Sequence, residues 1–377
     1  MEDNSIYPGP ITRDFSGYRY VDPGINQVLV GIEEGDKLEL MNKVIKYINK
    51  YRTNICNLGW LGGISVASDM LEDWKSENIV CREENSMYVV EYTVDDQTVR
   101  GVLVEIDLYN SSDSSILPHE NVNNEDVDKM AKSFFLRRAD YEPILLVQSM
   151  TPVMRSLISS VCYSHSITEK VSEPGISYNI WNVKDPDIRS IFHEEIRKRQ
   201  TFIADGHHRL ASHLSLGHVL ALVTDTEESP LQLGAIHRII PSISLDKIMN
   251  TSRTFKFFDV HGNNINKCLL SCNKNEFIMG DGHKWKRVVL ATGNTNDVSN
   301  IHEELDFFLE NKKNNLLYRH EVKEAIKTAE QVNGVVILLP SPELSSIYEY
   351  ISQGKLLPEK ATSFWPKPPV SMVVRTY

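Results

Sequence analysis

Between Asp185 and Asp225 the sequence changes its hydrophobic period three times, and this rhythm constrains the fold more than any other feature. "DPDIRSIFHEEIRKRQ" has Asp185 as N-cap, Pro186 at the first helical position, and Ile188, Ile191, Phe192 and Ile196 at helical spacing. "TFIA" follows as a short apolar strand. A second helix opens at His207, Gly217 stops it, and "VLALVTD" is another strand. Later, "EVKEAIKTAEQVN" spaces Val322, Ala325, Ile326, Ala329 and Val332 as one helix face and leads into the strand "GVVILLP". Ser341-Pro342 opens one more helix, which ends at Gly354. Strands and helices alternating at this pace predict an α/β protein, with sheets covered by helices.

The N-terminal half is less regular. The first ~25 residues are rich in Pro, Gly and Tyr and read as an extended arm laid on a surface. "DKLELMNKVIKYINKY" has helical spacing, whereas "MYVVEYTV" and "VRGVLVEIDLY" read as strands joined by the turn "DDQT". "NSSDSSILPHENVNNEDVDK" is a loop by composition, and "EPILLVQS" is a buried strand. The 377 residues exceed one compact core and predict two packed subdomains.

A net charge of −11 argues against a nucleic-acid-binding role, although it leaves room for a small anion in a local positive pocket. No segment has the roughly 18 consecutive apolar residues of a membrane helix. "MEDNSIYPGP" is not a secretory signal, and the five cysteines are odd in number and scattered. Cys268 and Cys272 lack a second Cys/His pair at zinc-finger spacing. The expectation is a cytoplasmic protein with reduced cysteines.

The chemistry concentrates in "TFIADGHHRLASHLSLGH". A strand that stops at Asp205-Gly206 and turns directly into a helix leaves backbone N–H groups at the turn, and the helix dipole adds positive charge there. Gly206 lets a ligand approach the backbone, and Arg209 offers a planar fork for phosphate oxygens. The turn therefore reads as an anion site. The plainer alternative is a helix capped by Asp205 with solvated histidines. A metal site is the third: His207 and His208 point about 100° apart, and His208 and His213 lack the i, i+4 spacing of a zinc-binding helix.

Further along, Lys360, Thr362 and Lys367 put two cations and a hydroxyl in a segment stiffened by prolines and aromatics. That composition fits a phosphate clamp, or a tail that packs Phe364 and Trp365 into the core. Arg238 reaches an anion or serves the fold, and so do Arg137 and Arg138. No Gly-rich loop ending in Lys-Ser/Thr occurs, so any nucleotide is not held P-loop fashion.

"FIADGHHRLASHL" resembles the signature of the bacterial and archaeal family called domain of unknown function 1015, itself similar to ParB-type free-serine kinases. "ITRDFSGYRYVDP" resembles the family's opening arm, "LPHENV" its His-Glu step, "ISYNIWNVKDPDIRSIF" the segment ahead of the signature, and "GAIHRII" the strand after it. "GKLLPEKATSFWPKP" is similar to the closing Pro-x-Lys-x-Thr-x-Phe-x-Pro-Lys run. Two features depart from the family. Residues 24–90 keep nothing of its Pro-Pro-Tyr-Asp segment, and the threonine expected after the His-Glu step is Val122.

The resemblance implies a mixed α/β (α+β) fold. A ParB/sulfiredoxin-like nucleotide-binding core would occupy residues 1–240, and an additional C-terminal α/β subdomain residues 241–377. It implies phosphoryl transfer from ATP or ADP, with Mg²⁺, to a hydroxyl of a serine-like or other small metabolite. Glu120 is then the candidate base, with Asp205 and His207 as its catalytic companions. His119, Gly206, His208, Arg209, Arg238, Lys360, Thr362 and Lys367 are expected to bind nucleotide or substrate. The expected partners are a nucleotide and a small substrate, with no membrane or nucleic acid and with homodimerisation open. The competing readings are a non-catalytic, ParB-like nucleotide switch and a metal-dependent hydrolase built on the histidines.

Overall fold

The computed structural model describes residues 8–21, 71–290 and 316–377 apart from short gaps, together with positions 301 and 305. The gaps are 73, 77, 79, 174–175, 253, 261–263, 274–275, 345–346, 348–350, 352–353 and 370–371. The helix expected over 36–51 lies outside the described residues, as does half of the one expected from Ser341 to Gly354.

The molecule is mixed α+β. Its largest sheet has nine strands and is organised around the long strand Gln97–Asp107. On one side that strand pairs antiparallel with Tyr88–Val94, on the other with His218–Asp225. Beyond His218–Asp225 lies Ile144–Gln148, and next to it Thr201–Asp205. The turn between the first two strands is tighter than "DDQT". Only Asp95 and Asp96 form it, at φ 47° and 68°, and Gln97 already pairs with Val94. Two positive φ values give the twist that a two-residue hairpin requires.

Both faces of this sheet are buried. On one face lie the helices Pro152–Ser164 and Pro186–Arg197, whose Met154, Ile158, Val161, Phe192 and Ile196 pack on Val102, Val104, Leu146 and Val223. The second helix is capped by Asp185 with Pro186 in its first turn, as its sequence predicts. The opposite face carries Tyr92, Leu103, Leu145 and Phe202, and the covering comes from Leu357, Ala361, Phe364 and Met372 near the C-terminus. Burying a side chain such as Phe364 contributes about 1.5–3 kcal/mol, and it brings the closing segment onto the sheet.

A six-stranded sheet is built from Phe255–Asp259, Trp285–Leu290, Glu276–Gly280, Val335–Leu338, His237–Ile240 and Leu317–Arg319, in that order. The helix Val322–Gln331 covers one of its faces through Ala325 and Ala329. The strand Thr362–Trp365 pairs with Gln232–Ala235, just ahead of this sheet.

Two expectations are corrected. The polar stretch read as a loop ends in the first part of the helix Asn124–Arg137, with Asn123 accepting hydrogen bonds from the N–H groups of Glu125 and Asp126. Phe134 is its buried residue, so its periodicity is weak even though its cap and acidic first turn are good start signals. The N-terminal arm is more than an arm: Thr12–Arg13 joins the large sheet, and Phe15–Tyr20 joins a four-stranded sheet with Val80–Ser86, Val374–Thr376 and Ala139–Asp140. Buried Arg375 in that sheet donates to Asp140 at 3.0 Å and pairs with Glu105, and His213 meets the other Asp140 oxygen at 2.8 Å. Among the described residues no helix is long and apolar enough to cross a membrane.

Candidate active site

The signature strand Thr201–Asp205 ends in Gly206, whose φ of 99° lies in the left-handed region. A Cβ at this position would stand 2.9 Å from Ile144 Cγ2, so backbone conformation and packing both require glycine. Gly206, not Asp205, is the N-cap of the helix His207–His213, and no side chain caps it. The Asp205 carboxylate turns to cations instead. Lys367 Nζ lies 3.0 Å from Oδ1 and Arg209 Nη2 2.5 Å from Oδ2. Burial pushes this carboxyl up, but Lys367 and Arg209 outweigh it and hold it at about 2. The Arg209 fork also donates to Glu142 at 3.0 Å and to the Pro143 carbonyl at 2.9 Å.

A second carboxylate forms the opposite pole. The Glu120 Oε1 accepts the Thr362 hydroxyl at 2.6 Å and the Thr362 N–H at 2.8 Å, and Oε2 accepts the Lys360 N–H at 3.0 Å. Burial again raises the carboxyl, whereas His119, His207 and Thr362 bring it down to about 2. His119, fully buried and stacked on Phe202, links the two poles. Its Nε2 is 2.6 Å from Thr362 Oγ1, and its Nδ1 is 3.1 Å from His207 Nε2. Thr362 gives its proton to Glu120, so His119 Nε2–H donates to Thr362. Burial and the neighbouring His119 hold the His207 ring at about 4.

These groups open on one cleft of about 1590 Å³. Nine of the eleven residues singled out from the sequence line it: Glu120, the run Asp205 to Arg209, Lys360, Thr362 and Lys367. They come from three stretches far apart in the chain, joined by the packing of Phe364 and Ala361 on the sheet. Clamp and tail are thus the same segment: Phe364 is buried while Lys360 and Lys367 face the cleft.

Two residues fall elsewhere. His119 stands behind the wall. Arg238 is fully buried, donates to the Ile236 and Lys360 carbonyls, and has its guanidinium lowered to about 10 by burial. It holds the closing segment from behind and does not line the cleft, because alternation along its strand turns His237 there instead. His208 lines the cleft and also accepts the Asn123 N–H at 3.1 Å. Arg138 donates to the Tyr377 carbonyl, and Arg137 lies over the Phe134 ring.

A family model described as protein of unknown function (DUF1015) matches residues 62–308. The chain belongs to this family. The matched region of the DUF1015 chain includes Glu120 and the whole signature, and the closing segment with Lys360, Thr362 and Lys367 lies beyond it. No curated protein matches the sequence. Several solved structures are distantly similar, among them the following three. A conserved hypothetical protein from Pyrococcus furiosus has 15% identity and a TM-score of 0.44 over 73% of this chain and 95% of its own. A free serine kinase variant in complex with ADP has 13% identity and a TM-score of 0.44, covering 74% and 95%. SbnI with a C-terminal truncation, from Staphylococcus aureus, has 12% identity and a TM-score of 0.44, covering 72% and 87%.

Sequence reasoning missed the cleft wall contributed by the six-stranded sheet, where His237, Tyr318, Arg319, His320 and Lys323 stand. It also missed Glu142, the second carboxylate on Arg209. The one available signal was His237, adjacent to the arginine that drew attention.

Proposed function

We propose that this DUF1015 protein is a small-molecule kinase that transfers a phosphoryl group from ATP or ADP to the hydroxyl of a serine-like or other small metabolite. The observation that carries the reading is the meeting of Glu120, Asp205, His207, Lys360 and Lys367 in one cleft. Phosphoryl transfer needs positioning, charge neutralisation and an acceptor for the hydroxyl proton. Lys360, Lys367 and Arg209 supply positive charge on the wall that would hold the nucleotide phosphates. Glu120 supplies the proton acceptor. In the reaction the acceptor oxygen bonds to the terminal phosphorus, the bond to the leaving nucleotide oxygen breaks, and the hydroxyl proton passes to Glu120 and on to solvent.

With its carboxyl at about 2, Glu120 is ionised throughout the physiological range. It therefore acts by holding the hydroxyl in line, and the proton leaves late. The residues do not fit Mg²⁺ held by protein carboxylates. Asp205 faces Lys367 and Arg209, and Glu120 faces N–H and O–H donors. Among the described residues no group of three or more His, Cys, Asp or Glu is set to hold a metal ion. The histidine-based hydrolase likewise lacks a donor set among these residues.

The test incubates the full chain with ATP or ADP and a panel of amino acids and small alcohols, and follows phosphate esters by mass spectrometry. Product is expected only when a hydroxyl acceptor is supplied, and Glu120→Gln abolishes it while nucleotide still binds. Nucleotide binding that changes the oligomeric state and yields no phosphate ester across the panel would replace the kinase with the switch.

A further inference from the structure

The cleft wall formed by the six-stranded sheet has no part in the chemistry above. His237 and Arg319 are direct partners in the antiparallel strands His237–Ile240 and Leu317–Arg319, so their side chains share one face of the sheet. Both line the cleft, together with His320 and Lys323. The helix Val322–Gln331 begins at this corner, and its N-cap Glu321 makes no side-chain cap hydrogen bond. Its first-turn N–H groups and positive dipole end therefore add to the same corner. The acids of that turn, Glu321 and Glu324, are exposed.

His237 is the informative group. It is only 4% exposed, and the Leu339 N–H donates to its Nδ1 at 3.2 Å. A neutral ring so placed carries its proton on Nε2. Burial, with Arg238 and His320 beside it, holds the ring at about 4, so it remains neutral at physiological pH. Among the described residues no protein acceptor meets Nε2, and the atom is not sealed from solvent. A buried imidazole thus keeps a fixed N–H donor on the cleft, where Arg319 and Lys323 outnumber the exposed Glu321 among the charged lining residues of this corner. Arg319 has one end of its fork steadied by the Tyr318 carbonyl at 2.8 Å.

We propose that this corner is an anion subsite, holding a carboxylate or phosphate group of the phosphoryl acceptor through His237 Nε2–H, the first turn of the helix Val322–Gln331, and the charges of Arg319 and Lys323. Assigning the group to the acceptor rests on the kinase reading, in which the nucleotide occupies the wall at Asp205 and Lys367. The space agrees with two ligands: about 1590 Å³ exceeds the roughly 300–1,000 Å³ of an ordinary small-molecule pocket. The acceptor class is then a hydroxyl compound with an anionic end, not a neutral alcohol.

Calorimetric titration of the full chain with glycerol, glycerate and glycerol 3-phosphate, and separately with ADP, tests this. Wild type is expected to bind at least one of the two anions clearly better than glycerol. His237→Asn keeps an acceptor for the Leu339 N–H and withdraws the donor from the Nε2 position, because the shorter amide does not reach it. Arg319→Gln, at a half-buried position, keeps the test open should the first variant not fold. Each variant is expected to weaken the preferred anion about tenfold or more, with ADP affinity unchanged within about twofold and folding checked by thermal melting. The subsite is overturned if neither anion binds better than glycerol or if folded variants retain full affinity. Equal loss of ADP affinity overturns its assignment to the acceptor. If wild type binds an anion but no nucleotide and the variants lose the anion, the subsite stands and the kinase reading fails.

Discussion

Replacing Glu120 with glutamine removes a charge without changing shape, and the structure sets the cost. A glutamate carboxyl ordinarily at 4.5 is held at about 2 here. The ionised form is thereby stabilised by about 3 kcal/mol relative to the unfolded chain. In Glu120→Gln the amide oxygen can keep the Thr362 bonds, but its NH₂ then faces the Lys360 N–H where Oε2 stood. An unsatisfied donor adds about 1–3 kcal/mol, so the expected loss at pH 7 is about 4–6 kcal/mol. Because the folded value lies below the unfolded one, the ionic part is fully present above pH 4.5. It disappears as pH falls from there toward 2. Urea unfolding of both proteins at pH 7 and pH 3.5 should show the stability gap narrowing by about 1 kcal/mol at the lower pH. Other acid-sensitive groups, Asp205 and Asp140 among them, are common to both proteins and cancel in the difference. A gap that does not change between the two pH values, or a variant as stable as wild type at pH 7, refutes the picture of Glu120 as a buried, donor-locked carboxylate.

Asp140→Asn removes one of the two carboxylates on fully buried Arg375, leaving Glu105, and weakens the contact to His213. A loss of about 1.5–3 kcal/mol is expected in denaturant unfolding, and less than about 0.5 kcal/mol would show the network to be dispensable. Gly206→Ala forces a side chain into a left-handed conformation against Ile144; it should cost about 1–3 kcal/mol, and an unchanged melting temperature would contradict the observed turn. Lys367→Met removes the cation nearest Asp205 Oδ1 from the cleft. ADP affinity measured by calorimetry should fall about tenfold, whereas retained affinity would remove the closing segment from the nucleotide wall.

What the sequence disclosed followed from local physics. Asp185-Pro186 announced its helix because cap and first-turn proline act over four residues, and Thr201–Asp205 announced its strand by an unbroken apolar run. The helix Asn124–Arg137 stayed hidden because Phe134 is its buried residue, and polar composition there imitates a loop. The pairing of Glu120 with Thr362 spans 242 residues. No periodicity reports such a contact: composition pointed to Thr362, and only the resemblance pointed to Glu120. Alternation along "IHRII" requires His237 and Arg238 to point to opposite faces, but which face meets the cleft depends on the strand Leu317–Arg319 and the helix after it. Attention therefore fell on Arg238, which is buried, while His237 faces the cleft.

The charges of the cleft also limit how a ligand can enter it. Five Lys or Arg and five Asp or Glu line it, so the wall is formally neutral within a chain of net charge −11. Arg209 and Lys367 already hold the Asp205 carboxylate, and Arg209 holds Glu142 as well. An arriving phosphate must share these cations with protein carboxylates, so its binding energy is the difference between two sets of ion pairs. The same carboxylates keep the cations in position before anything binds, which lowers the ordering cost on association. Glu120 has the corresponding role on the other side, fixing the Lys360 and Thr362 backbone while Arg238 holds the Lys360 carbonyl from behind. The closing segment is therefore a preset part of the wall. On the kinase reading, ligand recognition by it would depend on exchanging partners at Asp205, without folding a loose tail over the cleft.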